Sequence, residues 1–212
     1  MTTLSTMKSR IASELRRSNI TSQIASAIST AISAYEHDRF FINESRDNTF
    51  MTVADQEFYS SSDAAFIGTL TKIDYVFLFI QNTPFELSAR QPRITEDAST
   101  NATATGTPTV YSWYDEQIRL YPVPSDAWTI RVGGVVTIAE PASDSETGNF
   151  WMTTAERLIR SRAKQELALH VLRDLELAQI MGGAATEAYD QLTDRTVRIT
   201  KTGGGRIRPM PF

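Results

Sequence analysis

The chain has 212 residues, of which 41% are hydrophobic and 22% charged, and its net charge is −4. This is an ordinary globular composition, and the length allows one good core or a core with an inserted subdomain. The chain contains no cysteine, which excludes disulfides, thiolate metal sites and cysteine nucleophiles. No stretch approaches the ~20 apolar residues that span a bilayer, and the N-terminus lacks an apolar signal-peptide run. We therefore expect a protein made in a cytoplasm, without a membrane partner.

The charges are unevenly distributed along the chain. Residues 1–40 carry a net +2, residues 41–149 a net −9 and residues 150–212 a net +3. An acidic middle disfavours sequence-specific binding of nucleic acid, although an acidic lumen would let a DNA duplex slide without gripping it. A solvated surface and an ordered binding surface both fit this pattern.

The first 40 residues have a helical period. Apolar residues recur every three or four positions from Leu4 to Leu15, and isoleucines recur every four from Ile20 to Ile32, which predicts two helices. The break between them, residues 16–19, offers an N-cap in Ser18 or Asn19. Another face of the second helix carries small residues: Ser22, Ser26, Ser29 and Ser33, beside Ala25, Ala27 and Ala31. Small residues let helices approach closely, so this face either contacts a neighbouring subunit or lies in water.

From residue 40 the period changes to two, which predicts one antiparallel β unit of five to seven strands. The clearest element is a hairpin with strands at 109–114 and 117–121, joined by a tight turn at Asp115-Glu116. Gly133-Gly134 indicates a bulge or bend in the last strand. The segment 92–107 is polar and rich in small residues, which favours either a short helix or a long loop.

After the β unit, the pattern returns to helix. Residues 153–156 match a capping box, and a stripe of apolar residues at steps of four predicts a helix over 154–181. Gly182-Gly183 is expected to interrupt or kink it, and a further helix is expected over 184–200. Three glycines and two prolines then predict a tail that is extended or disordered. Its last seven residues form either a frayed end or an arm that docks on a partner. They are Arg206, Ile207, Arg208, Pro209, Met210, Pro211 and Phe212.

These elements predict an α+β fold with a discontinuous body. Residues 1–40 and 150–202 are expected to form a helical bundle, residues 41–149 an inserted antiparallel β domain, and residues 203–212 an extended C-terminal arm.

Little in the sequence favours an enzyme or a cofactor site. His37 and His170 each stand alone, without a second ligand at metal spacing, so we expect them to be structural. Three carboxylate pairs occur, at Asp115/Glu116, Asp144/Glu146 and Asp174/Glu176, in a predicted turn, a loop and a helix where the two side chains diverge. No phosphate loop or nucleophile elbow is present. We predict no catalytic residues, no metal and no cofactor.

The amino-acid sequences of three segments resemble one protein family. The hairpin segment GTPTVYSWYDEQIRLYPVP, the stretch AISTAISAYEHDRFFINESRDNTFMTVADQEFYS and the helix that starts near Trp151 are similar to head–tail adaptor, or connector, proteins of tailed bacteriophages. These include adaptors of the tail tubular protein A type. The similarity covers most of residues 20–180, and the order and spacing of the three segments make it more specific than any one of them.

The resemblance implies a non-enzymatic structural protein of the virion neck. Such proteins form a ring, usually of twelve copies, under the portal; the ring extends the channel for passing double-stranded DNA and offers a platform for the tail or nozzle. A ring requires two different contact faces on each subunit, and we expect Ser22, Ser26, Ser29 and Ser33 to lie in one of them. The tail, residues 206–212, is expected to bind the portal by strand addition or in a groove.

Two other classes remain as alternatives. One is a different virion component that completes the tail or closes the head. The other is a virion-associated peptidoglycan hydrolase, whose two carboxylates would come together from distant loops.

Overall fold

A computed structural model of the protein describes residues 2–101 and 104–200, and their side chains except those of residues 97–101 and 200. The chain forms two compact units. One consists of residues 43–137, called here the β unit, and the other, called the helical unit, contains residues 2–42 and 138–200.

The described residues form five α-helices and ten β-strands. The helices are α1 (Leu4–Glu14), α2 (Thr21–Ser33), α3 (Pro92–Asn101), α4 (Glu156–Leu167) and α5 (Leu175–Thr200). The strands are β1 (Glu44–Met51), β2 (Phe58–Tyr59), β3 (Leu70–Ile80), β4 (Thr83–Glu86), β5 (Ser88–Ala89), β6 (Thr105–Gly106), β7 (Val110–Tyr114), β8 (Gln117–Tyr121), β9 (Val123–Pro124) and β10 (Thr129–Val136).

The two predicted N-terminal helices are confirmed as α1 and α2. A reciprocal capping box starts α1: the Thr6 amide donates to Thr3 Oγ1 at 3.2 Å, and the Thr3 amide donates to Thr6 Oγ1 at 2.7 Å. By contrast, α2 has Ile20 at its N-cap position without a side-chain cap, so the predicted capping by Ser18 or Asn19 is wrong. The isoleucine face of α2 is buried as its period requires.

The C-terminal helices form an antiparallel hairpin whose turn lies at Arg173. Helix α4 continues into a π-helical turn, Ala168–Leu172, which ends where Arg173 adopts the left-handed conformation with φ 56°. Asp174 then caps α5, because its Oδ1 accepts a hydrogen bond from the Leu177 amide at 2.9 Å. Helix α5 packs back along α4, and Arg157 Nη2 reaches Glu187 Oε2 at 2.7 Å.

Three predictions about this region are therefore wrong. The helix expected over 154–181 breaks at Arg173, and α5 runs without interruption through Gly182 and Gly183. The predicted capping box at 153–156 is absent: Ala155 occupies the N-cap position, and Thr153 Oγ1 donates to the Asn149 carbonyl at 2.8 Å. The break at Arg173 could not be recognised from the sequence, because the apolar residues of 154–181 keep their helical spacing on both sides of the turn.

Gly182 lets α4 and α5 approach closely. A Cβ atom at position 182 would lie 2.7 Å from the amide nitrogen of the Gln165 side chain, whereas a Cβ at position 183 would meet nothing within 4 Å. Only the first glycine therefore has a packing reason to lie inside the helix.

We expect Gly183→Ala to stabilise the protein by about 0.5–1 kcal/mol, because alanine restricts the unfolded chain and favours the helix. Gly182→Ala is the matched control: it makes the same change one residue away, but the Gln165 side chain must move, so its gain should be smaller or absent. Urea unfolding followed by circular dichroism measures both. Equal gains at the two positions would contradict the assigned role of Gly182.

Aromatic side chains form the centre of the helical unit's core. Trp151 is completely buried, with its ring 5.1 Å from that of Phe150 and 6.1 Å from that of Phe40, between centroids. Its indole Nε1 donates to the Ile138 carbonyl at 3.1 Å, which satisfies its only polar group. The segment after the β unit is thereby fixed to the start of α4.

Ion pairs join α1 to α4 at the surface. Glu14 accepts hydrogen bonds from Arg160 Nη1 at 2.6 Å and from Lys164 Nζ at 2.8 Å. Partial burial acts to raise the pKa of Glu14, but the hydrogen bond from Lys164 and the nearby positive charges outweigh it and hold the pKa below its ordinary value. This contribution to stability is present above the ordinary glutamate pKa and is lost as the pH falls through the lowered one.

The β unit contains two four-stranded sheets and one two-stranded sheet among the described residues. The first has the order β1-β10-β3-β4 and is antiparallel throughout; the second has the order β2-β8-β7-β5. Residues of both sheets, such as Leu78 and Val132 from the first and Ile118 and Leu120 from the second, share one apolar cluster. The two sheets therefore pack face to face.

The predicted hairpin is confirmed as β7 and β8. Both turn residues have positive φ, 52° at Asp115 and 56° at Glu116, as a tight two-residue hairpin turn requires. The bulge predicted in the last strand is also confirmed, because the pairing of β10 with β3 shifts register between Gly133 and Gly134.

The predicted fold class is correct in being α+β, but its finer description is wrong. Helix α3 lies in the β unit, so helices are not confined to the body formed by the two ends of the chain. The β unit is not the purely antiparallel unit of five to seven strands that was expected: its described residues form ten strands in three sheets, and the pairs β5–β7 and β6–β9 are parallel. Two-residue strands carry too little alternation to be recognised in sequence, which explains the undercount.

Candidate interaction surfaces

No three His, Asp or Glu side chains come together in metal-binding geometry within residues 2–101 and 104–200. The side chains of His37 and His170 are 69% and 73% exposed, each beside one glutamate, at 3.5 Å and 3.4 Å. In the same residues no helix combines the length and the apolar character needed to cross a membrane.

Each carboxylate pair contains a group that stabilises local structure. Asp115 and Glu116 form the hairpin turn. Asp144 Oδ1 pairs with Lys8 Nζ at 2.6 Å, and Asp174 caps α5. These roles account for the positions of the carboxylates through turn geometry, an ion pair and a helix cap.

Helix α2 presents a face without charge. None of its residues, Thr21–Ser33, is charged, and Ser22, Ser26 and Ser33 are exposed. Ser29 is half-buried, and its hydroxyl donates to Glu140 Oε1 at 2.7 Å. Three of the four serines expected at a subunit contact are thus exposed, whereas Ser29 is half-buried; the Ser22 hydroxyl also has a partner in its own chain, since it donates to Gln23 Oε1 at 2.9 Å.

The alanines of α2 are placed differently from the prediction. Ala27 and Ala31 are buried with the isoleucines, in the core of the helical unit, so the expectation that they lie on the serine face is wrong. Positions 27 and 31 follow Ile24 and Ile28 by three, and helical residues three apart share a face.

A groove of about 200 Å³ lies between α2 and the π-helical turn. Ser26 and Thr30 line it from α2, and His170 and Val171 line it from the turn. The turn exposes the apolar side chains of Leu169 and Val171, and α5 begins with Leu175, which is 69% exposed; we call these three residues the apolar corner. Exposed apolar groups beside a groove are typical of a protein interface.

A second groove, also of about 200 Å³, lies between the start of α4 and α5. Its lining includes Arg157, Ala188 and Arg195, and the Arg195 guanidinium lies 4.6 Å from the centre of the Phe41 ring. The two grooves therefore occur at opposite ends of α4 and differ in chemistry.

In the β unit, a cleft of about 140 Å³ lies beside the hairpin; we call it the aromatic cleft. Its lining residues are Phe58, Pro92, Glu96, Ser112, Tyr114, Asp115, Gln117 and Arg119. Tyr114 is 73% exposed, the largest exposure of any large hydrophobic side chain in the described part of the chain, and Phe58 is 45% exposed.

The buried Arg119 fixes the floor of the aromatic cleft. Its side chain is only 8% exposed, with Nε 2.6 Å from Glu57 Oε1 and Nη1 3.0 Å from Glu96 Oε1. Its guanidinium also lies 5.1 Å from the centre of the Phe58 ring. Nearby, the Thr95 and Ser112 hydroxyls are 3.1 Å apart and both residues are buried, so α3 is held onto the hairpin sheet.

Sequence reasoning located one of these surfaces and missed the others. The serine face of α2 came from its helical period, whereas the apolar corner was hidden by the assumption of a continuous helix. The aromatic cleft could have been suspected from Tyr114 beside the turn, because a large side chain next to a hairpin turn often lies outside the core. The expected portal-binding residues, 206–212, lie outside the described residues.

Grooves, an uncharged helix face and exposed aromatic side chains are the features of a structural protein that works by contacting other chains. A family model described as "SU10 adaptor protein" matches residues 2–210, and the chain therefore belongs to the SU10 adaptor protein family. It is a bacteriophage adaptor, a structural protein of the virion. No individual curated protein matches the chain.

Proposed function

We propose that the protein is a non-enzymatic head–tail adaptor located in the virion neck, between the capsid and the tail. Copies of the chain form a ring, of twelve subunits, that lies under the portal, extends the channel for double-stranded DNA and provides the attachment platform for the tail or nozzle. The observation that carries the proposal is the family match over residues 2–210.

The helical unit offers what a closed ring requires. Head-to-tail assembly needs two different contact faces on each subunit. The groove beside α2, with the apolar corner, and the groove between α4 and α5 are two such faces with different chemistry. We assign Ser22, Ser26, Ser29 and Ser33 to the first of these contacts.

The β unit supports a channel that does not retain DNA. Residues 43–137 carry six basic and twelve acidic side chains, a net −6, and negative side chains facing a lumen repel phosphates rather than releasing counterions from them. That the chain resembles adaptors of the tail tubular protein A type is part of the same proposal. The basic tail, residues 206–212, is the proposed contact with the portal.

Negative-stain electron microscopy of the protein mixed with its portal tests the proposal directly. We expect a ring stacked on the portal. Binding to isolated tail proteins but not to the portal would instead support the tail-completion alternative. Clearing of peptidoglycan that a single carboxylate substitution abolishes would overturn the non-enzymatic assignment.

A further inference from the structure

The aromatic cleft has the chemistry of a peptide-binding groove. Phe58, Pro92 and Tyr114 give it apolar walls, and Glu96 and Asp115 place carboxylates at its rim. Proline-containing segments bind grooves of this kind because their backbone is already extended and loses little entropy on binding. A carboxylate rim adds selectivity for segments that also carry arginine or lysine.

The cleft is also held in place before any ligand arrives. Arg119 joins the hairpin sheet to Glu57 and Glu96, and the contact between Thr95 and Ser112 fixes α3 beside it. Glu96 itself remains 65% exposed, so its carboxylate is accessible to a partner's cation. A preformed groove lowers the entropy lost on binding.

The chain itself contains a segment that complements this groove. Residues 206–212 read RIRPMPF, with two arginines, two prolines, three apolar side chains and no acid. The prolines and Phe212 match the aromatic walls, and Arg206 and Arg208 match the carboxylates at the rim. Its charge is opposite to that of the acidic stretch, residues 41–149, in which the cleft lies.

We infer that residues 206–212 of a neighbouring copy of this chain bind in the aromatic cleft. Five residues, 201–205, separate this segment from the end of α5, and five residues of chain span at most about 17 Å. Only a copy in direct contact with the donor is therefore within reach, so the interaction links neighbours.

The interaction also implies a regulation, and this step rests on the proposed function. The portal contact and the cleft contact use the same seven residues, so one arm makes only one of them at a time. The cleft holds the arm between neighbouring copies until a portal competes for it.

The binding itself is tested without a portal. A fluorescent peptide of residues 201–212 is titrated with the chain lacking residues 206–212, so that no arm of a neighbouring copy competes for the cleft, and its anisotropy is recorded. The full-length protein is the comparison, in which the arms compete with the peptide and binding should be weaker. We expect saturable binding that Tyr114→Ser weakens about tenfold, by loss of the aromatic wall, and that Asp115→Asn weakens about threefold, by loss of one charge. Asparagine tolerates the positive φ at position 115, so the turn is kept.

Matched controls distinguish binding in the cleft from nonspecific binding to the surface of the β unit. Phe85→Ser removes another exposed aromatic side chain, and Asp47→Asn another exposed carboxylate, both outside the cleft, and neither should change binding. A scrambled peptide of the same composition should bind at least about fivefold more weakly, since the spacing of prolines and arginines sets the fit. Absence of saturable binding, or equal effects of Tyr114→Ser and Phe85→Ser, would overturn the inference while leaving the portal contact standing.

Discussion

Ser26→Glu is expected to reduce ring assembly by more than about tenfold while the subunit stays folded. Ser26 is exposed on the uncharged face of α2 and lines the groove that also contains Glu166. A carboxylate placed there would be desolvated by the neighbouring copy without a counter-charge, at a cost of roughly several kcal/mol per contact. Light scattering and electron microscopy measure the fraction of rings, and circular dichroism measures the fold.

Ser9→Glu is the matched control for this experiment. Ser9 is exposed on α1, away from the α2 groove, so it adds the same charge without changing assembly. Ser29 is unsuitable as a second position, because its hydroxyl already bonds Glu140 and a glutamate there would repel that carboxylate within its own chain. Rings that form normally with Ser26→Glu would show that the serine face lies in water.

The reasons why some elements could be predicted are physical. The hairpin was recognisable because aromatic and β-branched residues fill two short segments and because a turn of two residues separates them. Helices α1 and α2 were recognisable because their apolar residues repeat at helical spacing. In both cases the information that fixes the element is local in sequence.

Other features depend on contacts that sequence periodicity does not contain. Gly182-Gly183 suggested a break, yet the close approach of Gln165 makes the first glycine compatible with a helix held by tertiary packing. The actual break at Arg173 requires a left-handed residue that is not glycine, which no composition rule favours. The parallel pairs β5–β7 and β6–β9 involve two residues each, too few to leave a pattern.

The candidate surfaces also divide into those set by local sequence and those set by tertiary contacts. The serine face of α2 is set by one helix, and so its exposure at Ser22, Ser26 and Ser33 could be inferred. The aromatic cleft combines residues from β2, α3, β7 and β8. It depends on tertiary contacts, such as the ion pairs of Arg119 with Glu57 and Glu96, which a sequence pattern does not contain.

Deletion of residues 206–212 is expected to abolish attachment to portal-containing heads, by about a hundredfold or more, while rings still form. The lost segment is the proposed portal contact, and a continuous peptide docked in a groove contributes most of the binding free energy of such an arm. Attachment is measured by co-sedimentation of the adaptor with purified heads. Because the deletion spares α1, α2, α4 and α5, the thermal unfolding transition should be unchanged. Normal attachment of the shortened chain would exclude the arm as the portal contact.

Tyr114→Ser separates the two proposed roles of the arm. This variant keeps residues 206–212 but loses the wall of the aromatic cleft, so it should still attach to heads. If the cleft competes with the portal, freeing the arm should even increase attachment, since removing a competing bound state raises the fraction of arm available to the portal. The shortened chain and the Tyr114→Ser variant therefore shift head attachment in opposite directions. Loss of attachment in both variants would show that attachment needs the cleft as well as the arm, and it would overturn the proposed competition between the cleft and the portal.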